Sequence, residues 1–362
     1  MNTDSIMLDM LSRERICIEA KPIDKDLIEE IFNQVIESIE AHNIIDIDIA
    51  LILCNSYNKY SSIKSTKSRN GEKSYLLYDM HLQEINNRLN AVYLGRKDPG
   101  HDDWKLSYDL FAEEAILSQE DVLTTYFTLN EVALGEYEIR AEKLKEAKFW
   151  EAVQIRYVIA HEIGHWIYRV YKEKGEMDEW KEIKNVLDDV KTILIDVYEW
   201  FKNRYLDEAY QQVINEQRKI VDESDDIVEE CFADAIAYAS VMGYMSCTNE
   251  QKNRKIQAGK ALFVTMMNLQ ILAMHHMSVS TQSFEDNTSI RIAFFRQYLG
   301  LYFDDCKESF ERMLESSVNR YEKRITNIML DSFAELVKRS QNIREYETVM
   351  NYKNDTFFDE DG

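Results

Sequence analysis

Apolar residues follow one spacing in the first hundred residues and another in the rest, and the change predicts two kinds of structure. Near the start, Arg15–Ala20 (RICIEA) alternates, and Asp46–Cys54 (DIDIALILC) is a β-branched run of strand length. Ser74–Tyr78 (SYLLY) forms a third strand candidate. It follows the polar stretch Ser61–Lys73, which reads as a loop with an Asn70-Gly71 turn signal. Between the first two strands, Asp24–Ala41 repeats Leu27, Ile28, Ile31, Val35 and Ile39 at helical spacing, and Asp79–Leu94 predicts a second helix.

After Asp98-Pro99-Gly100 the pattern becomes helical almost throughout. Gly135–Lys174 holds a single internal glycine, Gly164, and no proline. Met177–Val221 predicts one or two further helices. The acidic cluster Asp222–Asp226 (DESDD) suits a helix start, where the dipole favours carboxylates. Helices are expected over Ile227–Met245, Glu250–Met277, Ser289–Leu299 and Asp305–Arg339, with a frayed last dozen residues. Composition agrees: the 362 residues include only two prolines and ten glycines, so breakers are scarce. The expected class is α+β, mainly helical, divided into an N-terminal α/β segment (1–100), a helical catalytic core (101–300) and a C-terminal helical part (301–362).

A formal charge of −23 argues against nucleic acid or an anionic membrane as partner, because attraction to either rests on Lys and Arg. Cys17, Cys54, Cys231, Cys247 and Cys306 are odd in number and form no CxxC pair, so a reducing compartment is expected. The opening MNTDSIMLDMLSRER lacks a signal-peptide core, which adds to the expectation of a cytoplasmic protein. Ala261–Met277 is the longest apolar stretch. Asn268 and Gln270 interrupt it, and it reads as a buried helix and not a membrane span.

The chemistry lies in Val158–Ile167, VIAHEIGHWI. His161 and His165 are four apart, so on a helix both imidazoles project from one face and can bind one metal ion. Glu162 is offset from that face, close enough to take a proton from a metal-activated water without being a ligand. A chance His-Glu-x-x-His in a chain of this length has a probability on the order of one per cent. The uncharged flanks Ile159, Ala160, Ile163, Gly164, Trp166 and Ile167 suit a helix buried behind a metal.

These residues resemble the HExxH helix of the zincin metallopeptidases. Tyr168 and Tyr171 stand where the metzincin branch has Gly and His. The gluzincin branch takes a Glu from a later helix, often with an Asp four residues on, and IVEECFADAIA (Ile227–Ala237) offers Glu230 and Asp234 at that spacing. The resemblance implies a zincin-like core binding one Zn²⁺ per chain through His161, His165 and Glu230. It makes Glu162 the general base and acid, with Asp234 orienting a ligand histidine. A physical argument agrees: two carboxylates beside Ile227, Cys231, Tyr238 and Val241 are costly to bury unless a cation or strong donors compensate. Adjacent helix residues point about 100° apart, so Glu229 and Glu230 cannot both address one metal, and Glu229 is expected to matter little.

The resemblance also bears on an oxyanion stabiliser. His275 and His276, at the end of an apolar helix, are candidates, though such histidines also serve simply as helix ends. Arg291, within NTSIRIAFFR, is another, by similarity to a His-Pro-Arg segment that here lacks its His and Pro. Tyr238 and Cys231 read as core. The layout further resembles bacterial intracellular peptidases of the Lit-like phage-exclusion or ImmA/IrrE-like kind, which implies a stress or defence role. The expected activity is hydrolysis of peptide bonds in a protein or peptide substrate. The alternatives are a catalytically silent zinc scaffold and a hydrolase of non-peptide amides.

Overall fold

The structure, a computed structural model, describes residues 25–41, 47–54, 61–68, 71–95, 139–174, 180–204, 226–246, 251–279 and 288–326, together with 338 and 341–342. It is mainly helical with one small sheet. Strands β1 (Ile49–Cys54), β2 (Ser62–Ser68) and β3 (Gly71–Asp79) lie in the order β1-β3-β2. β1 runs parallel to β3, with Ile49 opposite Ser74 and Cys54 opposite Asp79. β2 runs antiparallel to it, with Ser62 opposite Leu77 and Ser68 opposite Gly71.

The central strand, β3, buries four residues in a row, Tyr75, Leu76, Leu77 and Tyr78. β2 corrects the expected Ser61–Lys73 loop. Its sequence SIKSTKS has one large apolar residue, Ile63, and that residue is buried. An edge strand needs little more, since β3 supplies its backbone partners and its outer face can stay polar. The expected strand Arg15–Ala20 lies outside the described residues.

Helix α1 (Lys25–Ala41) buries Ile28, Ile31, Phe32, Val35 and Ile39, a stripe at the helical period. Helix α2 (Met80–Leu94) starts directly after β3, where Asp79 Oδ1 accepts the His81 backbone N–H at 2.9 Å. It stops at Gly95, whose φ of +103° carries its N–H back to Ala91 O at 3.0 Å.

The later helices are α3 (Leu144–Lys174), α4 (Lys181–Arg204), α5 (Asp226–Ser246), α6 (Gln251–Val279), α7 (Thr288–Gly300) and α8 (Lys307–Tyr321). α5 opens on Asp226, the last residue of the acidic cluster; the others lie outside the described residues. Val153–Ala160 of α3 are buried without a break, which marks a helix covered on all sides. α4 is one-sided, burying Ile183, Leu187, Val190, Leu194 and Val197, and it packs on α5 and α7.

Between α7 and α8 the chain makes a tight 3-10 turn, Leu301–Cys306, with Phe303 out of helical conformation. Phe303 stacks on Phe310 at 4.3 Å, and a side chain at Gly259 would meet its ring.

Two compact units interleave along the sequence. The first comprises residues 1–86, 148–266 and 287–317 and contains the sheet. The second comprises 87–147, 267–286 and 318–362. Within the second, Tyr321 donates its hydroxyl to Asn268 Oδ1 at 2.8 Å, and its ring lies beside Tyr93. Among the described residues, no helix is long and apolar enough to cross a membrane. Asn268, inside the long apolar stretch, is fully buried and used for that hydrogen bond.

Candidate metal centre

The first unit brings α3 and α5 together at Gly164 and Ala233. A Cβ on Gly164 would lie 2.7 Å from the Ala233 Cα, so only glycine allows this approach. The functional side chains flank the crossing alike on both helices, three residues before and one after. On α3 they are His161 and His165; on α5 they are Glu230 and Asp234. Trp166 ties α3 to the sheet, its indole N–H donating to Ser74 Oγ of β3 at 3.1 Å.

Among the described residues, His161, His165 and Glu230 form a group that could hold a metal ion. The two Nε2 atoms are 3.1 Å apart. Glu230 Oε1 is 3.5 Å from His165 Nε2, and Oε2 is 3.6 Å from His161 Nε2. A tetrahedral ion with bonds of about 2.1 Å spaces its ligands about 3.4 Å apart, so these donors fit one.

The other side of each ring strengthens the case. His161 Nδ1 lies 3.0 Å from Asp234 Oδ1, though not aligned as a full hydrogen bond. His165 Nδ1 is 2.8 Å from Glu229 Oε1. A carboxylate beside Nδ1 on each ring favours the N–H there, an arrangement that would leave both Nε2 atoms, 3.1 Å apart, free for a shared ion. Either a proton on one ring or a metal ion between the two would satisfy this contact.

Asp234 is fully buried and saturated with donors. Its Oδ1 accepts the Tyr157 hydroxyl at 2.6 Å and Arg291 Nη2 at 2.8 Å, and its Oδ2 accepts Arg291 Nε at 2.9 Å. Burial alone would raise its carboxyl, but Arg291 and His161 hold it far below the ordinary value. Glu230 is pulled down in the same way against burial, by Arg291, His161 and His165. Burial would lower the His165 pKa; Glu229, Glu230 and Glu162 raise it instead. Glu162 moves upward, chiefly because it is desolvated, and it feels the charges of His161, His165, Glu230 and Arg169.

The structure therefore gathers His161, His165, Glu230 and Asp234, with Glu162 electrically coupled to them. Arg291 joins this group in a different place from the one anticipated. All its guanidinium nitrogens are turned to Asp234 and Glu230, so it does not stand free as an oxyanion donor. His275 and His276 fall on α6, and their side chains lie outside the described residues. Tyr238 and Cys231 are both fully buried core residues; Tyr238 packs edge-on against Phe295 and beside Tyr157.

Sequence reasoning missed Glu229 and Tyr157. Two histidines that would share a metal ion through Nε2 need two partners for their other nitrogens, and Asp234 serves only one. That requirement was the available signal for Glu229. Tyr157, one turn before His161, had none. No protein-family model, curated protein or solved structure matches the chain.

Proposed function

We propose that the protein is a zinc-dependent peptidase of the gluzincin type, acting on a protein or peptide substrate. The observation that supports this best is the cluster of His161 Nε2, His165 Nε2 and Glu230, with the two Nε2 atoms 3.1 Å apart and each imidazole backed by a carboxylate. His161, His165 and Glu230 would hold the zinc. Zinc would supply Lewis acidity, polarising a scissile carbonyl and making water a nucleophile near neutral pH. Glu162, raised by desolvation, is suited to accept the proton of the attacking water and deliver it to the leaving amine. Asp234 and Glu229 keep the imidazoles in the ligating tautomer. The buried Cys54, Cys231 and Cys306, none of them in a disulfide among the described residues, and the acidic charge support a cytoplasmic setting. A role in bacterial stress response or phage defence follows by resemblance alone.

The test pairs metal analysis with one substitution. The purified protein should hold about one zinc per chain, lost to chelation and restored by added zinc. Glu162→Gln should keep the zinc and reduce cleavage of host-cell proteins by more than about a hundredfold. Absence of zinc after reconstitution would sink the metal assignment. Retention of zinc by wild type with no cleavage product in either protein would favour a silent scaffold.

A further inference from the structure

Arg291 stands on α7, apart from both ligand helices, yet it reaches two carboxylates of α5. Its Nε and Nη2 grip Asp234 at 2.9 and 2.8 Å, and its Nη1 lies 2.8 Å from Glu230 Oε2 as an ion pair, not aligned as a full hydrogen bond. Its Nη2 also approaches the Tyr157 hydroxyl at 3.3 Å. The surrounding face is apolar: Ile227, Cys231, Ala237, Tyr238 and Val241 are all buried. Two carboxylates cannot remain charged there without a compensating cation. The guanidinium supplies one by itself, in the forked geometry that binds a carboxylate most strongly.

We propose that Arg291 is a resident counter-cation that assembles the α3–α5 ligand set independently of metal and fixes Glu230 by Oε2, leaving Oε1 as the oxygen offered to the ion. The inference rests on the metal-site reading above. Arg291 is a positioning residue in this scheme and touches neither substrate nor ion. A sign follows from linkage. A cation that stabilises the metal-free site more than the loaded one opposes metal binding to the same extent. Removing it destabilises the metal-free protein most, and the loaded protein less, because the bound cation takes over part of the compensation. Zinc then stabilises the variant more than it stabilises wild type. A merely structural arginine would weaken both forms alike, and one needed only to aim Glu230 would lower zinc affinity.

The experiment is thermal unfolding of the full chain in chelator and in excess zinc, for wild type, Arg291→Met and Arg291→Lys. Wild type should unfold cooperatively in chelator, with a moderate upward shift on adding zinc. For Arg291→Met the zinc-induced shift should be roughly doubled or more, and folding only in the presence of zinc is the extreme form of the same result. Arg291→Lys, which keeps the charge and loses the fork, should fall between. A zinc-induced shift in Arg291→Met equal to or smaller than that of wild type would overturn the proposal. If Arg291→Met fails to fold in both conditions, Arg291→Lys decides by the same comparison. Zinc that leaves wild type unshifted would instead sink the metal reading on which this rests, so the two failures remain distinct.

Discussion

A histidine that ligates through Nε2 leaves Nδ1 to be satisfied, and the two imidazoles here use different partners. His161 turns to Asp234, which is buried and already holds Tyr157 and Arg291; His165 turns to Glu229, which is partly exposed. The consequences of substitution should differ accordingly. Glu229→Ala should weaken zinc binding roughly 10–100-fold with little change in thermal stability, and Glu229→Gln, which keeps an acceptor, should cost less. Asp234→Ala should lower both, because Arg291 and Tyr157 lose their acceptor as well. Competition against a chelator of known affinity, run beside thermal melts, separates the two patterns. Equal effects at both positions would contradict the assignment. Acid should expose the same group. With chelator present, the unfolded carboxylates protonate near pH 4, while folded Asp234 and Glu230 protonate lower. The unfolded state then binds more protons, so stability is present above that range and falls as pH drops through it. Glu162, raised by burial, contributes the opposite slope. Comparing the Tm–pH curve with that of Asp234→Asn isolates the buried aspartate, and parallel curves would count against it. His161, Glu162 and His165 were legible from sequence because their spacing within one helix is sufficient. Glu229 and Tyr157 were not, since each acquires its role only from the residue it meets on another helix.

Among the elements, the crossing of α3 and α5 sets the site. Gly164 and Ala233 let the two backbones touch, and the ligands stand at equal offsets from that point. Gly164→Ala would press a methyl against the Ala233 backbone, which has no flexible end to yield. The helices must part, at a cost of about 1–3 kcal/mol or more, and the ligand spacing opens with them. Zinc affinity should therefore fall by more than about tenfold, a larger loss than the same change at solvent-exposed Gly243, where a Cβ meets nothing. Unchanged zinc affinity in Gly164→Ala would show that the crossing does not govern the site. The helices themselves were legible where one face is apolar, as in α1, or where a long stretch lacks breakers, as in α3. β2 was not, because an edge strand can be almost wholly polar. The kink at Phe303 was hidden as well: it goes with stacking on Phe310, a contact that local pattern does not encode.

For the whole molecule, the net charge of −23 acts at longer range than any of these contacts. It should keep the protein off polyanions: binding to duplex DNA at physiological salt should be weaker than the roughly 10⁻⁴ M typical of non-specific DNA-binding proteins. Fluorescence anisotropy with a labelled duplex measures this directly, and tighter binding that weakens with salt would reveal a basic face. The candidate metal centre sends a further consequence outward. Its donors are two imidazoles and a carboxylate, and Arg291 holds that carboxylate on its own account. Donors of this kind, presented at a set spacing, discriminate poorly between divalent ions, and their affinities follow the order that places Cu²⁺ and Ni²⁺ at or above Zn²⁺. Supply, more than fit, then decides the cargo. On the proposed reading, the same polypeptide made in copper-rich and zinc-rich cells would emerge as two differently loaded populations, and the history of its metallation would be written in the proposed activity.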